Sequence, residues 1–397
     1  MESNTKDKGK KGEYLETGIV FDVRSLYSWF MRLRDNRNPK GMRYTLATIL
    51  VLIMLAKLCG EDKPSGIAEW VQSRAELLVE VLGLRYAKMP HHSTYRRILA
   101  DCVEASELDA LVSEYLTSQV GAGRSVVIAI DGKTVRGTID QANGRGEHLL
   151  AAYLPEEGIV LAQVAVDCKE NEIEAAPRVL ESLDLRRKIV IGDAMHTQRA
   201  LSIQIVQAGG EYVWLVKDNQ PRIRWDLEKL FEVEEPIAGL ACLPKDFCSA
   251  QSIDKRHGRL EERRITVSSM LRDYVDWPYL EQAFKLERRF THLKSGKIHQ
   301  DVVYGITSLP KEKADPKRLL GIVRSLWGIE NGLHYRRDVT LKEDATRLTK
   351  GKAGHNMATL NNLLLGMLAH KGYNNVASAR RRFDADPMAA FALISVL

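Results

Sequence analysis

Three acids in this chain are placed where carboxylates could do joint chemistry. Asp131 follows the apolar run Ser125–Ile130, and Asp193 follows the short apolar run Lys188–Ile191 and a glycine. Glu330 falls in a stretch with helical spacing, where at ~100° per residue Trp327, Glu330, His334 and Arg337 share one face. Each has an ordinary reading alone: a turn former or helix N-cap for either aspartate, a solvated face with local Glu–Arg pairing for Glu330. Together, two strand-end aspartates and a glutamate on a later helix can supply the oxygen ligands for two Mg²⁺ ions about 3.5–4 Å apart. In phosphate chemistry one such ion activates the attacking water or hydroxyl and the other stabilises the leaving 3′ oxygen.

The elements that must position these acids divide by pattern. Residues 22–118 read as helical, with an amphipathic segment at Ser25–Arg34, a buried helix at Arg43–Cys59 and another at Ile67–Val81 ended by Gly83. A further helix after Pro90, capped by Ser93, would present Tyr95, Arg96 and Arg97. It reads either as the second helix of a helix-turn-helix entering a major groove or as part of a bundle with a solvated Arg pair. From Ser125 the order becomes β-β-β-α-β-α-β-α, which predicts an α/β domain with a mixed sheet and helices on both faces. Residues 245–308 alternate charged and apolar positions and read as a β-rich insertion of solvated antiparallel strands. Helix returns at Asp315 and runs through Glu330, and a second apolar helix follows at Met357–Ala369.

Composition narrows the partners. The 397 residues carry a formal charge of +6 at pH 7, which suits a polyanionic partner. Five scattered cysteines with no CxxC pair point to a reducing cytoplasm and away from a zinc site or disulfide framework. The first twelve residues are basic without an apolar core, so no signal peptide is expected, and Leu46–Ala56 is too short to span a bilayer. No P-loop is present, so no ATP requirement is expected.

The blocks IDGKTVRG (130–137), IGDAMHTQ (191–198), YVWLVKDNQP (212–221), HGRLEERR (257–264) and WGIENGLHYRRDVTLKEDATR (327–347) occur in one order along the chain. With FMRLRDNRNPKGMRY (30–44) and PHHSTYRRIL (90–99), the sequence resembles the ISAs1-type insertion-sequence transposases, H-repeat-associated proteins among them. These are DDE transposases with a ribonuclease-H-like core.

The resemblance implies Asp131, Asp193 and Glu330 as the catalytic and metal-binding acids, separated by 193 − 131 = 62 and 330 − 193 = 137 residues. The long second interval is filled by the insertion. It also implies a layout of a basic disordered tail (1–19), a helical DNA-binding or accessory domain (20–120), a catalytic domain (121–375, insertion about 240–310) and a C-terminal tail (376–397).

The cofactor expected is Mg²⁺, with Mn²⁺ an acceptable substitute. The partners expected are double-stranded DNA at transposon ends and target, and a second copy of the chain in a homodimer, in a nucleoid-associated setting without membrane. Candidate phosphate and DNA contacts are Lys133, Arg136, His196, Lys217, Asn219, His257, Arg259, Arg324, His334, Arg336 and Arg337, with Tyr95, Arg96 and Arg97 in the helical domain. Related groups place a lysine seven residues after the catalytic glutamate, where this chain has Arg337. Two other readings stay open: a nuclease of the same fold without strand transfer, and a DNA-binding protein without chemistry.

Overall fold

Strands whose every residue is apolar belong at the centre of a sheet covered on both faces, and that is where the two aspartate-bearing runs fall. The computed structural model describes residues 13–14, 20–21, 25–118, 126–139, 144–167, 170–232, 246–256 and 258–395. The basic tail therefore lies largely outside the described residues. Nine strands form one sheet: β1 (Val126–Val135), β2 (Glu147–Leu154), β3 (Ile159–Val166), β4 (Lys188–Gly192), β5 (Glu211–Val216), β6 (Cys248–Arg256), β7 (Arg259–Ser268), β8 (Gln282–His292) and β9 (Ile298–Thr307). Their order is β3-β2-β1-β4-β5-β9-β8-β7-β6. β1 runs parallel to β4 and β4 parallel to β5, while β2 and β3 form an antiparallel hairpin. This is the ribonuclease-H-like arrangement the resemblance implied. The insertion does not make a sheet of its own. β9 pairs antiparallel with β5, Tyr304 opposite Val216, so β6–β9 extend the core sheet.

One compact unit comprises residues 121–134 and 148–335. It holds the sheet with α7 (Glu172–Glu181), α8 (Arg199–Gln207), α9 (Pro221–Phe231) and α10 (Pro316–Ile329). Its core is built from Ile128, Ile130, Val190, Tyr212 and Trp214, all fully buried. α10 begins at the side-chain cap of Asp315 with proline at its first position. It packs on β4, β6 and β7.

The other unit combines residues 1–120, 135–147 and 336–397. Its helices are α1 (Leu26–Phe30), α2 (Leu46–Leu58), α3 (Pro64–Ser73), α4 (Ala75–Leu82), α5 (His92–Arg97), α6 (Ala105–Ser118), α11 (Ala353–His370), α12 (Val376–Ala385) and α13 (Pro387–Ser395). Every residue of α2 is buried. That includes Lys57, whose ammonium is 3.1 Å from Asp62, and Asp62 in turn accepts a 2.9 Å bond from Arg380 on α12. α2 packs against α11, α12 and α13, so the C-terminal segment forms part of the helical core. Among the described residues, no helix is long and apolar enough to cross a membrane.

Three local expectations are revised. The helix expected over 67–81 breaks at Arg74 into α3 and α4. β1 continues through Asp131 to Val135. The helix expected to run past Glu330 stops being α-helical there: α10 ends at Ile329, and Glu330–His334 and Arg336–Thr340 are π-helical turns, in which the Tyr335 N–H donates to the Glu330 carbonyl five residues back. A turn with an extra residue shifts the register of side chains after it. Arg337 consequently leaves the face it was expected to share with Glu330.

Candidate metal centre

Ile130 of β1 stands opposite Gly192 of β4 in the parallel ladder, so Asp131 and Asp193 are the next residues beyond the same pair. Glu330 arrives from the other direction, as the first residue after α10. Gly332 permits that approach: a Cβ there would lie 2.5 Å from the Tyr153 hydroxyl on β2. Asp131, Glu330 and His334 each offer a ligand atom, and these atoms all lie within 4.8 Å of one another. His334 Nδ1 is 3.3 Å from Glu330 Oε2 and 3.7 Å from Asp131 Oδ2. The histidine is almost buried, while the Glu330 side chain is 66% exposed, so the cluster opens on the glutamate side. Asp193 stands outside that group. Its carboxylate accepts from the Met195 N–H at 3.0 Å and is 45% exposed.

Burial, with the nearby charges of Glu172 and Asp193, pushes the Asp131 carboxyl up to about 7. An acid raised first by burial and then by its neighbours' negative charge is stabilised in its ionised form by a cation. Two carboxylates supply the hard oxygen donors that Mg²⁺ prefers, and the adjacent imidazole suits Mn²⁺ as well. The residues present therefore fit a divalent cation.

The other sequence candidates scatter. Lys133 is 9% exposed and His196 is fully buried, so neither presents its head to a DNA strand. Arg337 is corrected likewise: it is 1% exposed and its guanidinium bonds Glu343, so it cannot reach a phosphate. Tyr95 has no exposed surface and cannot read a base, whereas Arg96 and Arg97 are exposed. Asn219 donates its amide to the Ala194 carbonyl and so braces the turn after Asp193. Arg324 pairs with Asp254 at 2.9 Å, and Arg336 is half-buried with Nη2 3.5 Å from the Asn374 carbonyl. Arg136, Lys217 and Arg259 are exposed. His257 lies outside the described residues.

Two features escaped the sequence. In the helical unit, Arg37, Lys40, Arg43, Lys88, His91 and Arg97 line a cleft of about 630 Å³ with no carboxylate on its wall. At the acid cluster, Glu172 is a fourth acid. The capping box formed by Asn171 and Glu174 marked a helix start there, and nothing nearby distinguished Glu172 from a solvated first-turn acid.

The family comes from comparison with known proteins. The transposase DDE domain family matches residues 122–367, and the family described as DDE_Tnp_1-associated matches residues 27–116. The chain belongs to the transposase DDE domain family, and at that level it is a DNA transposase. It is 29% identical over 352 residues to "Putative transposase YncI" of Escherichia coli O157:H7, covering 87% of each chain. It is 26% identical over 383 residues to the "H repeat-associated putative transposase YhhI" of Escherichia coli K12, covering 95% of this chain and 98% of the relative. A cryo-EM structure of the piggyBac transposase synaptic complex with hairpin DNA aligns over 92% of this chain and 78% of its own, at 10% identity and a TM-score of 0.40.

Proposed function

We propose that this chain is an ISAs1-type transposase that uses Asp131, Asp193 and Glu330 to hold Mg²⁺, or Mn²⁺ in its place, cuts DNA at the transposon ends and joins the freed 3′-OH to target DNA. The observation that carries this reading is the meeting of Asp131 with Glu330 and His334, 199 and 203 residues further along the chain (330 − 131 and 334 − 131), within 4.8 Å in a transposase DDE domain. When bound, the divalent cation supplies a nucleophile at neutral pH and offsets charge on the displaced oxygen.

The chain's own residues do the rest. Asp131, on the interior strand β1, is proposed as the most rigidly held ligand. Glu330 stands at the exposed rim, where DNA enters, and the His334 ring fixes its carboxylate. Asp193, next after the Gly192 that pairs with Ile130, is proposed as the third acid ligand. Arg136, Lys217 and Arg259 are proposed to hold phosphates around the site, and Arg96 and Arg97 to do so in the helical unit. Two copies are proposed to act together on the two transposon ends, each contributing one acid cluster.

The test is a cleavage and strand-transfer assay on duplexes carrying the element's ends, with Mg²⁺ and target DNA. Joined products are expected, and Asp131→Ala, Asp193→Ala and Glu330→Ala should each abolish them. Cut ends without any joined product would replace this reading with that of a nuclease.

A further inference from the structure

Glu172 is the first residue of α7, and its carboxylate touches three elements. Oε1 accepts a 2.8 Å hydrogen bond from His148 Nε2 on β2. Oε2 lies 3.3 Å from Nε2 of His196, the fully buried histidine of the turn that follows Asp193. The carboxyl carbon sits so close to Gly132 that a Cβ at that glycine would be 2.3 Å from it. His148 is held from its other side by the Thr134 hydroxyl, 2.8 Å from Nδ1, so the chain of contacts returns to β1 three residues beyond Asp131. The Glu172 side chain is only 12% exposed. Burial alone would raise its carboxyl, but the hydrogen bond from His148 and the nearby His196 imidazole bring it down to about 2.

We propose that Glu172 is a positioning residue of the phosphoryl-transfer site: wedged between Gly132, next to Asp131, and His196, in the turn after Asp193, it sets the separation of the two aspartates that would hold a divalent cation. The glycine after Asp131 is explained by the same contact, since any side chain at 132 would displace the carboxylate. The inference rests on Asp131 and Asp193 being cation ligands, as proposed above.

The test is Mn²⁺ binding to the full-length protein, read by electron paramagnetic resonance of free Mn²⁺ at a temperature where each variant is folded by circular dichroism. Glu172→Ala should weaken Mn²⁺ by about 10–100-fold, the usual cost of losing a residue that orients metal ligands. Glu172→Gln, which can still accept from His148, should recover part of that loss. Gly132→Ala should weaken Mn²⁺ in the wild-type background but add nothing to Glu172→Ala, because the clash is with the carboxylate itself. Wild-type Mn²⁺ affinity in Glu172→Ala, or the same affinity with a lowered melting temperature alone, would overturn the proposal and leave Glu172 a stability residue. Asp131→Ala serves as the separate control. Undiminished Mn²⁺ binding in that variant would reject the ligand assignment, whatever Glu172 does.

Discussion

Arg337 and Glu343 close a bidentate ion pair in which each side chain is 1% exposed, with Nε–Oε2 and Nη2–Oε1 both at 2.9 Å. Asn361 donates to Glu343 at 2.7 Å and Asn362 accepts from Arg337 at 3.4 Å, both from α11. A buried pair broken on one side leaves an uncompensated charge, at a cost of about 3–5 kcal/mol. Arg337→Ala should show that loss in urea denaturation. Arg337→Lys should recover only part of it, because an ammonium cannot match both carboxylate oxygens. DNA affinity of the folded fraction should not change, which separates this role from phosphate binding.

His355 on α11 lies 2.5 Å from an Asp109 carboxylate oxygen and 3.5 Å from one of Glu147. Burial works to lower its basicity, but the two carboxylates outweigh it and raise the imidazolium to about 9. The folded state therefore keeps a proton that the unfolded chain releases near 6.5. The stability this contributes is complete below pH 6.5 and is lost as the pH rises through 9. His355→Gln should flatten the fall in melting temperature between those values.

The Asp131 carboxyl has the opposite consequence. Its ordinary value is 3.8 and the fold raises it to about 7. Between those values the native state holds a proton that the unfolded state has lost, so cation-free stability falls as the pH rises from about 4 to about 7. Asp131→Asn should melt higher than wild type at pH 8 without divalent cation and lose that advantage near pH 4. Adding Mg²⁺ at pH 8 should raise the wild-type melting temperature and leave the variant's unchanged.

The basic cleft of the helical unit should behave as a phosphate-binding surface. Arg43→Ala, Lys88→Ala and Arg97→Ala should each weaken duplex binding without changing sequence preference, and each should lower the slope of log affinity against log salt by about 1. Tyr95→Phe should leave binding unchanged, since the ring is wholly buried.

How far the sequence could be read follows from which signals are local. The two aspartate strands announced themselves as short, apolar runs, and β1 pairs parallel with β4, Ile130 opposite Gly192, although Asp193 itself stays outside the group formed by Asp131, Glu330 and His334. Glu330 drew notice through Trp327 and His334 on its helix, and the structure places it beside Asp131 and His334. Arg337 was misread because helical periodicity assumes 3.6 residues per turn, and the π-turn at Glu330–His334 breaks that assumption. Tyr95 was misread because a tyrosine beside two arginines has the same local pattern whether it faces solvent or core. Glu172 was invisible because its partners, His148, His196 and Gly132, come from three other elements, and no local pattern encodes such a meeting.

The helical unit is assembled from distant stretches, 1–120 and 336–397, and α2 packs on α1 and α3 as well as on α11, α12 and α13. During synthesis, α2, buried at every residue, leaves the ribosome roughly 300 residues before α11, α12 and α13, which complete its cover. At about 5–20 residues per second it waits on the order of 15–60 s in need of shelter from other chains. A chain that stops before Ala353 carries Asp131, Asp193 and Glu330 but lacks the helices that complete the cover of α2.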